Sequence, residues 1–414
     1  MHKSLGKEAA SSQLDNVNIL NLELHERGIY VNIIDCRSII YSCREGIPDI
    51  TWRVVNVQKK SIAVIFGGKS SEHEVSRISA SYVISKIPAD RYDVTTIGIT
   101  KDGRWLMYNG DTEKIANGSW EYEPGNKTAF ISPDPSVKGI VVTDDSGCKV
   151  IKLDCVFPVL HGKNGEDGTI QGLLELAEIP YVGCGVLASA DCMDKIVTNI
   201  MFGYAGIEQA QFTWFYSSDY FKNPDKYISE VEKKLEYPVF VKPANAGSSV
   251  GVSKAANREQ LHTAVIKAAK EDGRILIEEN IIGKEVECAV LGNDEPFASV
   301  PGQIAPAAEF YDYDAKYNNS ESKLFIPAQI SEELAEKVRQ TAVKAYRILG
   351  CTGLSRVDFF VTDDGRVLLN EINTLPGFTS ISMYPKLMAA SGIEDSDLIE
   401  RLIEFAFERT EKNV

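Results

Sequence analysis

In the stretch SRVDFFVTDDGRVLLNEIN, residues 355–373, two alternating apolar and polar runs flank Asp364-Gly365, a dipeptide typical of a two-residue type I′ hairpin turn. Folding about that turn sets Asp358 directly opposite Glu371 and Arg356 opposite Asn373. All four then share one face, with Val357, Phe359, Val361, Leu368 and Ile372 mostly on the other. Like charges facing each other across a ladder repel. Asp, Glu and Asn offer oxygen donors only, so a hard divalent cation such as Mg2+, bridging substrate phosphates, would turn that repulsion into a binding site. Arg356 would stand beside it as a fixed cation, suited to charge developing on an oxygen. The plainer reading is a solvated hairpin with poor cross-strand pairing. The Pro-Gly turn that follows at once in INTLPGFTS weakens it.

Other stretches suit phosphate and nucleotide chemistry. VFVKPANAGSSVGVSK, residues 239–254, reads as a strand with Lys242, then a small-residue loop containing Gly247, Ser248, Ser249 and Gly251. Its backbone N–H groups could cradle phosphate while Lys242 supplies a point charge. It is not a G-x-x-x-x-G-K-[ST] loop, and neither is IFGGKSS; a plain hairpin turn is the alternative. RILIEENIIGKE ends a strand in Glu278 and Glu279, with Glu285 beyond. That suits adenine on the backbone and ribose on a carboxylate, or an ordinary strand exit, and spacing does not separate the two. His161, in VLHGKNGEDGT, sits at a strand end, where open α/β sheets bind ligands; Glu166 is placed to hold its ring. Gly183-x-Gly185-x-x-Ala188 raises a rival, an NAD-dependent oxidoreductase. It stays remote, because the strand-end acid about 20 residues later is missing.

An alternation of strands and helices must position these groups. KSIAVIFGGKSSEHEVSRISASYVISKI gives a buried strand (62–66), a Gly-rich turn and a helix (about 74–87). DVTTIGIT and DCVFPVLHG are further strands, and GTIQGLLELAEI is a helix, so residues 59–185 read as a parallel, doubly wound domain. Residues 186–275 hold the helix MDKIVTNIMFGYAG, the strand YPVFVKPA, the glycine loop and the helix NREQLHTAVIKAAKE. Residues 276–409 open with RILIEEN and contain the hairpin. A polar stretch of about 306–326 is too long for a simple connection and reads as a lid. Residues 1–58 stand apart as an extension, or as the product of a start site placed too far upstream. GIYVNIIDC suggests a strand there, and no function is assigned.

The 414 residues allow two or three domains. A net charge of −15 argues against non-specific nucleic-acid or anionic-membrane partners. No apolar run approaches the roughly 18 residues of a membrane span, and the N-terminus lacks a secretory apolar stretch. Eight cysteines without C-x-x-C spacing point away from zinc or a disulfide framework and toward a reducing cytoplasm.

Taken in order over about residues 60–408, GGKSSEHEVS, PVLHGKNGEDGTIQG, MDK, FVKPANAGSSVGV, LIEENIIGKEVECAVLG, FYDYDAKY, GLSRVDFF and LLNEINTLPGFTSISMYP resemble the D-alanine–D-alanine ligase family of the ATP-grasp superfamily. The resemblance implies an α/β chain with an ATP-grasp fold. A doubly wound N-terminal domain would precede two α+β subdomains clasping ATP. It implies phosphorylation of one D-alanine by ATP and attack on the acyl phosphate by the amine of a second. D-Ala-D-Ala, ADP and phosphate would result, for peptidoglycan precursors. By resemblance, Asp358, Glu371 and Asn373 hold two Mg2+ or Mn2+ ions. Glu72 takes the ammonium of the first D-alanine, and Ser248 bonds to Glu72 and to Tyr317 of the lid. His161 lies near the first substrate, and Arg356 and the Gly377 N–H stabilise the oxyanion. Lys195, Lys242 and the Ser249 loop contact ATP phosphates, and Lys316 the transferring phosphate. Glu278, Glu279, Asn280 and Ile281 frame adenine, Glu285 binds ribose, and Ser382 and Met383 border the second substrate. A homodimer through the first domain is implied.

The family includes ligases that add D-serine or D-lactate, and HGKNGEDG is similar to their pattern. Retention of Tyr317 argues against D-lactate. Met383, where serine-adding relatives often have arginine, favours a methyl group and so D-alanine, although one extra hydroxyl is hard to reject. A non-catalytic nucleotide-binding relative is disfavoured by the presence of every expected phosphate, metal and oxyanion residue.

Overall fold

The computed structural model of the protein describes residues 58–305 and 323–412, together with three strands nearer the N-terminus. Those strands belong to a separate unit, residues 1–59. In it β1 (Ala9–Leu14), β2 (Val17–Leu24) and β3 (Ile29–Ile33) form an antiparallel meander. The strand expected in GIYVNIIDC is β3.

Residues 60–414 form the second unit. Its first sheet runs β4 (Lys60–Gly67), α1 (His73–Lys86), β5 (Tyr92–Ile99), β6 (Trp105–Tyr108), α2 (Thr112–Asn117), β7 (Lys127–Ile131), β8 (Gly139–Asp144), β9 (Gly147–Lys152), β10 (Cys155–Val159) and α3 (Thr169–Leu176). Spatial order is β10-β4-β5-β6-β7-β8-β9. The expected parallel arrangement holds for β10, β4 and β5. From β5 outward the sheet is antiparallel. The β8–β9 connection shows why: Asp144 pairs with Gly147, and a two-residue turn reverses the chain where a parallel return needs a crossover of a dozen or more residues. β4 is buried from Ile62 onward, as befits a strand covered on both faces.

Helices α4 (Val186–Met193) and α5 (Lys195–Tyr204) lead to a four-stranded antiparallel sheet. It comprises β11 (Phe212–Tyr216), α6 (Ser217–Tyr220), α7 (Pro224–Lys234), β12 (Val239–Pro243), β13 (Ser253–Ala255), α8 (Arg258–Ala268) and β14 (Arg274–Glu279). Val239, Val241, Ile275 and Ile277 pack under Ile228 and Val231 of α7 and Leu261 and Val265 of α8. Alternation sends Lys242 and Glu278 to the opposite face. β14 pairs with both β11 and β12, so the division expected at 275/276 falls inside a strand of this sheet.

The third sheet has the order β18-β17-β15-β19-β20, with β16 on β15. Its strands are β15 (Lys284–Leu291), β16 (Phe297–Ala298), β17 (Gly302–Ala305), β18 (Lys323–Phe325), β19 (Leu354–Val361) and β20 (Val367–Asn373). On one face Val286, Cys288 and Val290 pack with Val338, Ala342 and Tyr346 of α9 (Glu332–Ile348). On the other, Ala289 and Leu291 join α10 (Met383–Ala390) and α11 (Asp395–Lys412). That second core continues into Ile62, Val64 and Phe66 of β4 and Val83 of α1, so the first sheet and the last share one apolar interior. Arg409 of α11 reinforces the junction by donating to the Tyr181 carbonyl and to Thr352 Oγ1, each at 3.0 Å. No helix among the described residues is long and apolar enough to cross a membrane.

Candidate functional site

The hairpin pairs Asp358 with Glu371 and Arg356 with Asn373, as the sequence implied. Its tip differs. Gly365 N–H bonds the Thr362 carbonyl and Thr362 N–H bonds the Arg366 carbonyl, both at 3.0 Å. Gly365 is left-handed, φ 85°. This is the three-residue turn, tighter at its start and relaxed by one left-handed glycine. A type I′ turn would also need positive φ at Asp364, which is not among the residues with that geometry. The register therefore arrives one residue out, with Phe359 opposite Leu369, and a bulge at Asn370 restores it before Glu371. In consequence Leu369, not Leu368, joins Val357, Phe359, Val361 and Ile372 in the core against α9, although Leu368 is itself fully buried.

On the polar face Arg356 forks onto Asp358, with Nε to Oδ1 and Nη2 to Oδ2 both at 2.7 Å. Its Nε also lies 3.1 Å from Glu287 Oε2, on the neighbouring β15. Burial opposes this cation, but Asp358 and Glu287 hold its pKa well above the usual value. Asn373 Nδ2 donates to Asp358 Oδ2 at 3.1 Å. Lys195 Nζ sits 3.7 Å from Glu371 Oε2 and donates to the Ala246 carbonyl at 2.9 Å. The donor set Asp358, Glu371 and Asn373 is all oxygen and fits Mg2+ or Mn2+. It needs phosphate oxygens and waters to complete a shell, the usual way Mg2+ is held. Among the described residues no three His, Cys, Asp or Glu side chains gather into a cage of their own.

Lys242 Nζ meets Glu278 Oε2 at 2.5 Å, and Glu278 Oε1 accepts from Asn199 Nδ2 at 2.9 Å. Burial would lower the Lys242 pKa; Glu278, and more remotely Glu371 and Glu285, raise it overall. Lys242 of the middle sheet and Lys195 of α5 thus both stand within electrostatic reach of Glu371 on the last sheet. Glu279 accepts from the Gln211 N–H at 2.8 Å. Asn280 and Ile281 are half-buried along the segment joining the two sheets, and Glu285 is half-buried near the start of β15. In the glycine loop Ser248 and Ser249 take φ of 48° and 58°. Such strained conformations cost of order 1–3 kcal/mol each and cluster at ligand clamps.

Glu72, just before α1, is 7% exposed. Its Oε1 accepts from Ser248 Oγ at 2.5 Å, while Oε2 is buried without a hydrogen-bond partner among the described residues. A Cβ added at Gly162 or Gly247 would lie 2.5 or 2.7 Å from Oε2, so bare backbone walls the oxygen on two sides. An unpaired, desolvated carboxylate oxygen calls for a cation, and a substrate ammonium fits. Glu72→Gln is expected to lower kcat/KM for the first amino acid roughly 10–150-fold, the loss of one charged hydrogen bond. Steady-state kinetics with ATP saturating measure it, and an unchanged value would remove Glu72 from the site.

His161 is buried and both ring nitrogens are taken: Nδ1 lies 2.9 Å from the Leu375 carbonyl and Nε2 3.0 Å from Ser79 Oγ. The expected support from Glu166 is not what the structure shows. Glu166 accepts the Gly162 N–H at 2.6 Å. Burial first, then Glu72, pushes its pKa up to about 8. A Cβ at Gly377 would stand 3.1 Å from Ser382 Oγ, which accepts from the Thr379 N–H at 3.0 Å. Met383 is 6% exposed and packs in the core under Gly302. Tyr317, Lys316 and most of the expected lid lie outside the described residues.

Comparison with known proteins decides the family. A model described as D-ala D-ala ligase N-terminus matches residues 61–184, and one described as D-ala D-ala ligase C-terminus matches 201–404. The D-alanine–D-alanine ligase of Acetivibrio thermocellus is 54% identical over 368 residues, 86% of this chain and 98% of that protein. The chain belongs to the D-alanine–D-alanine ligase family.

Solved structures agree. VanG D-Ala:D-Ser ligase from Enterococcus faecalis superposes with a TM-score of 0.78 at 43% identity, over 84% of this chain and all of that one. The Coxiella burnetii D-alanine–D-alanine ligase does so with 0.75 at 34%, over 86% and 96%. The ATP-grasp fold of this ligase family is thus the fold of the middle and last sheets, and residues 1–58 lie outside both family matches. Three polar groups escaped the sequence reading of this family member: Glu287, Asn199 and Ser79. An acid inside the apolar strand KEVECAVL was the available signal for Glu287. Asn199 and Ser79 find their partners 79 and 299 residues away, and neither carries a local mark.

Proposed function

We propose that the protein joins two D-alanines at the expense of ATP, through a D-alanyl phosphate, yielding D-Ala-D-Ala, ADP and phosphate for peptidoglycan precursors in the cytoplasm. The observation that carries this reading is the Glu72 carboxylate, anchored by Ser248 with its other oxygen unpaired. It lies in the unit that also holds the Asp358–Glu371 hairpin face. Glu72 holds the ammonium of the first D-alanine. Lys195, Lys242, the Ser248–Ser249 loop and, from the lid, Lys316 hold the ATP phosphates. Glu278–Ile281 frame adenine and Glu285 the ribose. Asp358, Glu371 and Asn373 hold Mg2+ or Mn2+, which when bound neutralises phosphate charge. Arg356 and the Gly377 N–H face the oxygen that gains charge when the second amine attacks. Closure of the lid, with Tyr317 on Ser248, keeps water from the acyl phosphate. Ser382 and Met383 border the second amino acid. The working assembly is a homodimer through the first domain.

D-serine as second substrate is the alternative, favoured by the 43% identity to a D-Ala:D-Ser ligase. A competition assay with ATP, Mg2+ and equal D-alanine, D-serine and D-lactate over pH 6–9, read by mass spectrometry, tests both. Predominant D-Ala-D-Ala is expected. Predominant D-Ala-D-Ser would overturn the substrate and keep the chemistry; folded protein giving no ligated product would overturn the chemistry.

A further inference from the structure

Two residues that bracket Gly377, Leu375 and Phe378, are tied to the first sheet's own elements by one chain of hydrogen bonds. The Leu375 carbonyl lies 2.9 Å from His161 Nδ1. His161 Nε2 lies 3.0 Å from Ser79 Oγ, and the Phe378 N–H donates to that same oxygen at 3.2 Å. His161 follows β10 and Ser79 is in α1. Side-chain chemistry fixes the protons. A carbonyl only accepts, so Nδ1 carries hydrogen. A backbone N–H only donates, so Ser79 Oγ accepts from Phe378 and has its own proton to give. Ser79 Oγ has no other acceptor for that proton among the described residues, so it goes to Nε2, and the imidazole is the neutral Nδ1–H tautomer. The circuit runs Phe378 N–H to Ser79 O–H to His161, and His161 Nδ1–H to Leu375 C=O.

An imidazolium would break this order, since Nε2–H and the Phe378 N–H would both point at the hydroxyl and leave its proton without an acceptor. Burial, opposed by nearby Glu72, lowers the His161 pKa and keeps the ring neutral. Ser79 is wholly buried, and its hydroxyl is shared between the ring and the loop. α1 buries His73, Ser76 and Ser79 beside Val75, Ala80 and Val83, and a buried polar side chain is costly unless its bonds are made. One of the Ser79 bonds ends on the segment carrying Gly377, at Phe378, and the other reaches it through His161 and the Leu375 carbonyl.

We propose that Ser79 and His161 form a clasp that holds the Leu375–Phe378 segment from both ends and so aims the Gly377 N–H at the reacting oxygen. Ser79 is a positioning residue that touches neither substrate nor nucleotide. The role of Gly377 rests on the function proposed above; the clasp itself does not, and its test is built to separate the two.

The first readout needs no catalysis. In the full chain labelled with 15N-histidine, five histidines in all, His161 is expected to show a protonated Nδ1 and a bare Nε2 at neutral pH. An Nε2–H tautomer or a charged ring in the wild type would overturn the clasp. Ser79→Ala is expected to disturb that tautomer signature and speed hydrogen exchange of the Phe378 amide. It should also lower kcat about 10–100-fold, the range for loss of a group that orients another. KM for the first D-alanine and for ATP should move less than twofold. Ser79→Thr keeps the hydroxyl and should restore most of kcat. Wild-type kcat in Ser79→Ala would overturn the positioning role. A wild-type protein with the expected tautomer and no ligase activity would instead overturn the proposed function. If the threonine is too large to fold, the wild-type tautomer and the Phe378 exchange rate in Ser79→Ala still decide.

Discussion

Asp358→Asn is expected to lower kcat roughly 10²–10³-fold, the several kcal/mol that a metal's charge contributes at a transferring phosphoryl group. The substitution preserves shape, so the loss isolates charge and donor character. It also turns an acceptor into a partial donor that faces the Arg356 fork and the Asn373 amide, both 2.7–3.1 Å away in the native arrangement. The apparent affinity for Mg2+ should fall with kcat, and a Mg2+ titration of single-turnover phosphoryl transfer measures both. Wild-type kcat at ordinary Mg2+ would mean that the paired carboxylates do not hold the metal.

Arg356→Ala should damage stability and rate together. Removing the guanidinium leaves the Asp358 and Glu287 carboxylates, paired on adjacent strands, without the cation between them. Uncompensated buried charge of this kind costs about 3–5 kcal/mol. The rate should fall a further 10²–10³-fold, approximately the loss seen for one oxyanion donor. Arg356→Lys is expected to recover little, because a point ammonium cannot form the two parallel bonds to Asp358. Urea unfolding and kcat separate the effects. Adding Glu287→Gln to Arg356→Ala should return much of the stability and none of the activity. If the double variant regains activity, Arg356 serves only to balance charge.

The site was legible where chemistry and spacing were local. Asp358, Glu371, Asn373 and Arg356 declared themselves because alternation in a single hairpin is a short-range rule. Lys242 with the Ser248–Ser249 loop was marked by a strand followed by small residues, a weaker signal that a plain hairpin turn shares. Glu72 was placed by resemblance alone; its unpaired oxygen needed the meeting of three segments around residues 72, 162 and 247. The commitments of His161 could not be read, because Ser79 and Leu375 lie 82 and 214 residues away in the chain. In the fold, β4, α1, β5, β10 and α3 were visible from their periodicity. The antiparallel half of the first sheet was not, since direction is set by connection length and not by the strand's own residues. β14 was assigned to the wrong neighbours for a related reason: an apolar strand between two sheets carries no sign of which it joins.

The hairpin holds a lesson about counting. Its tip has one residue more than a two-residue turn, and the bulge at Asn370 absorbs the excess before the carboxylates are reached. The reading frame of this ribbon is thus set at its open end, where Glu371 must face Asp358, and the slack is stored in two places of unequal importance. Residues added or removed between Thr362 and Arg366 change only the loop. Straightening the bulge with Asn370 in place would be a frameshift in space: Asn370 would stand opposite Asp358, Glu371 would turn into the apolar interior and Ile372 out onto the polar face.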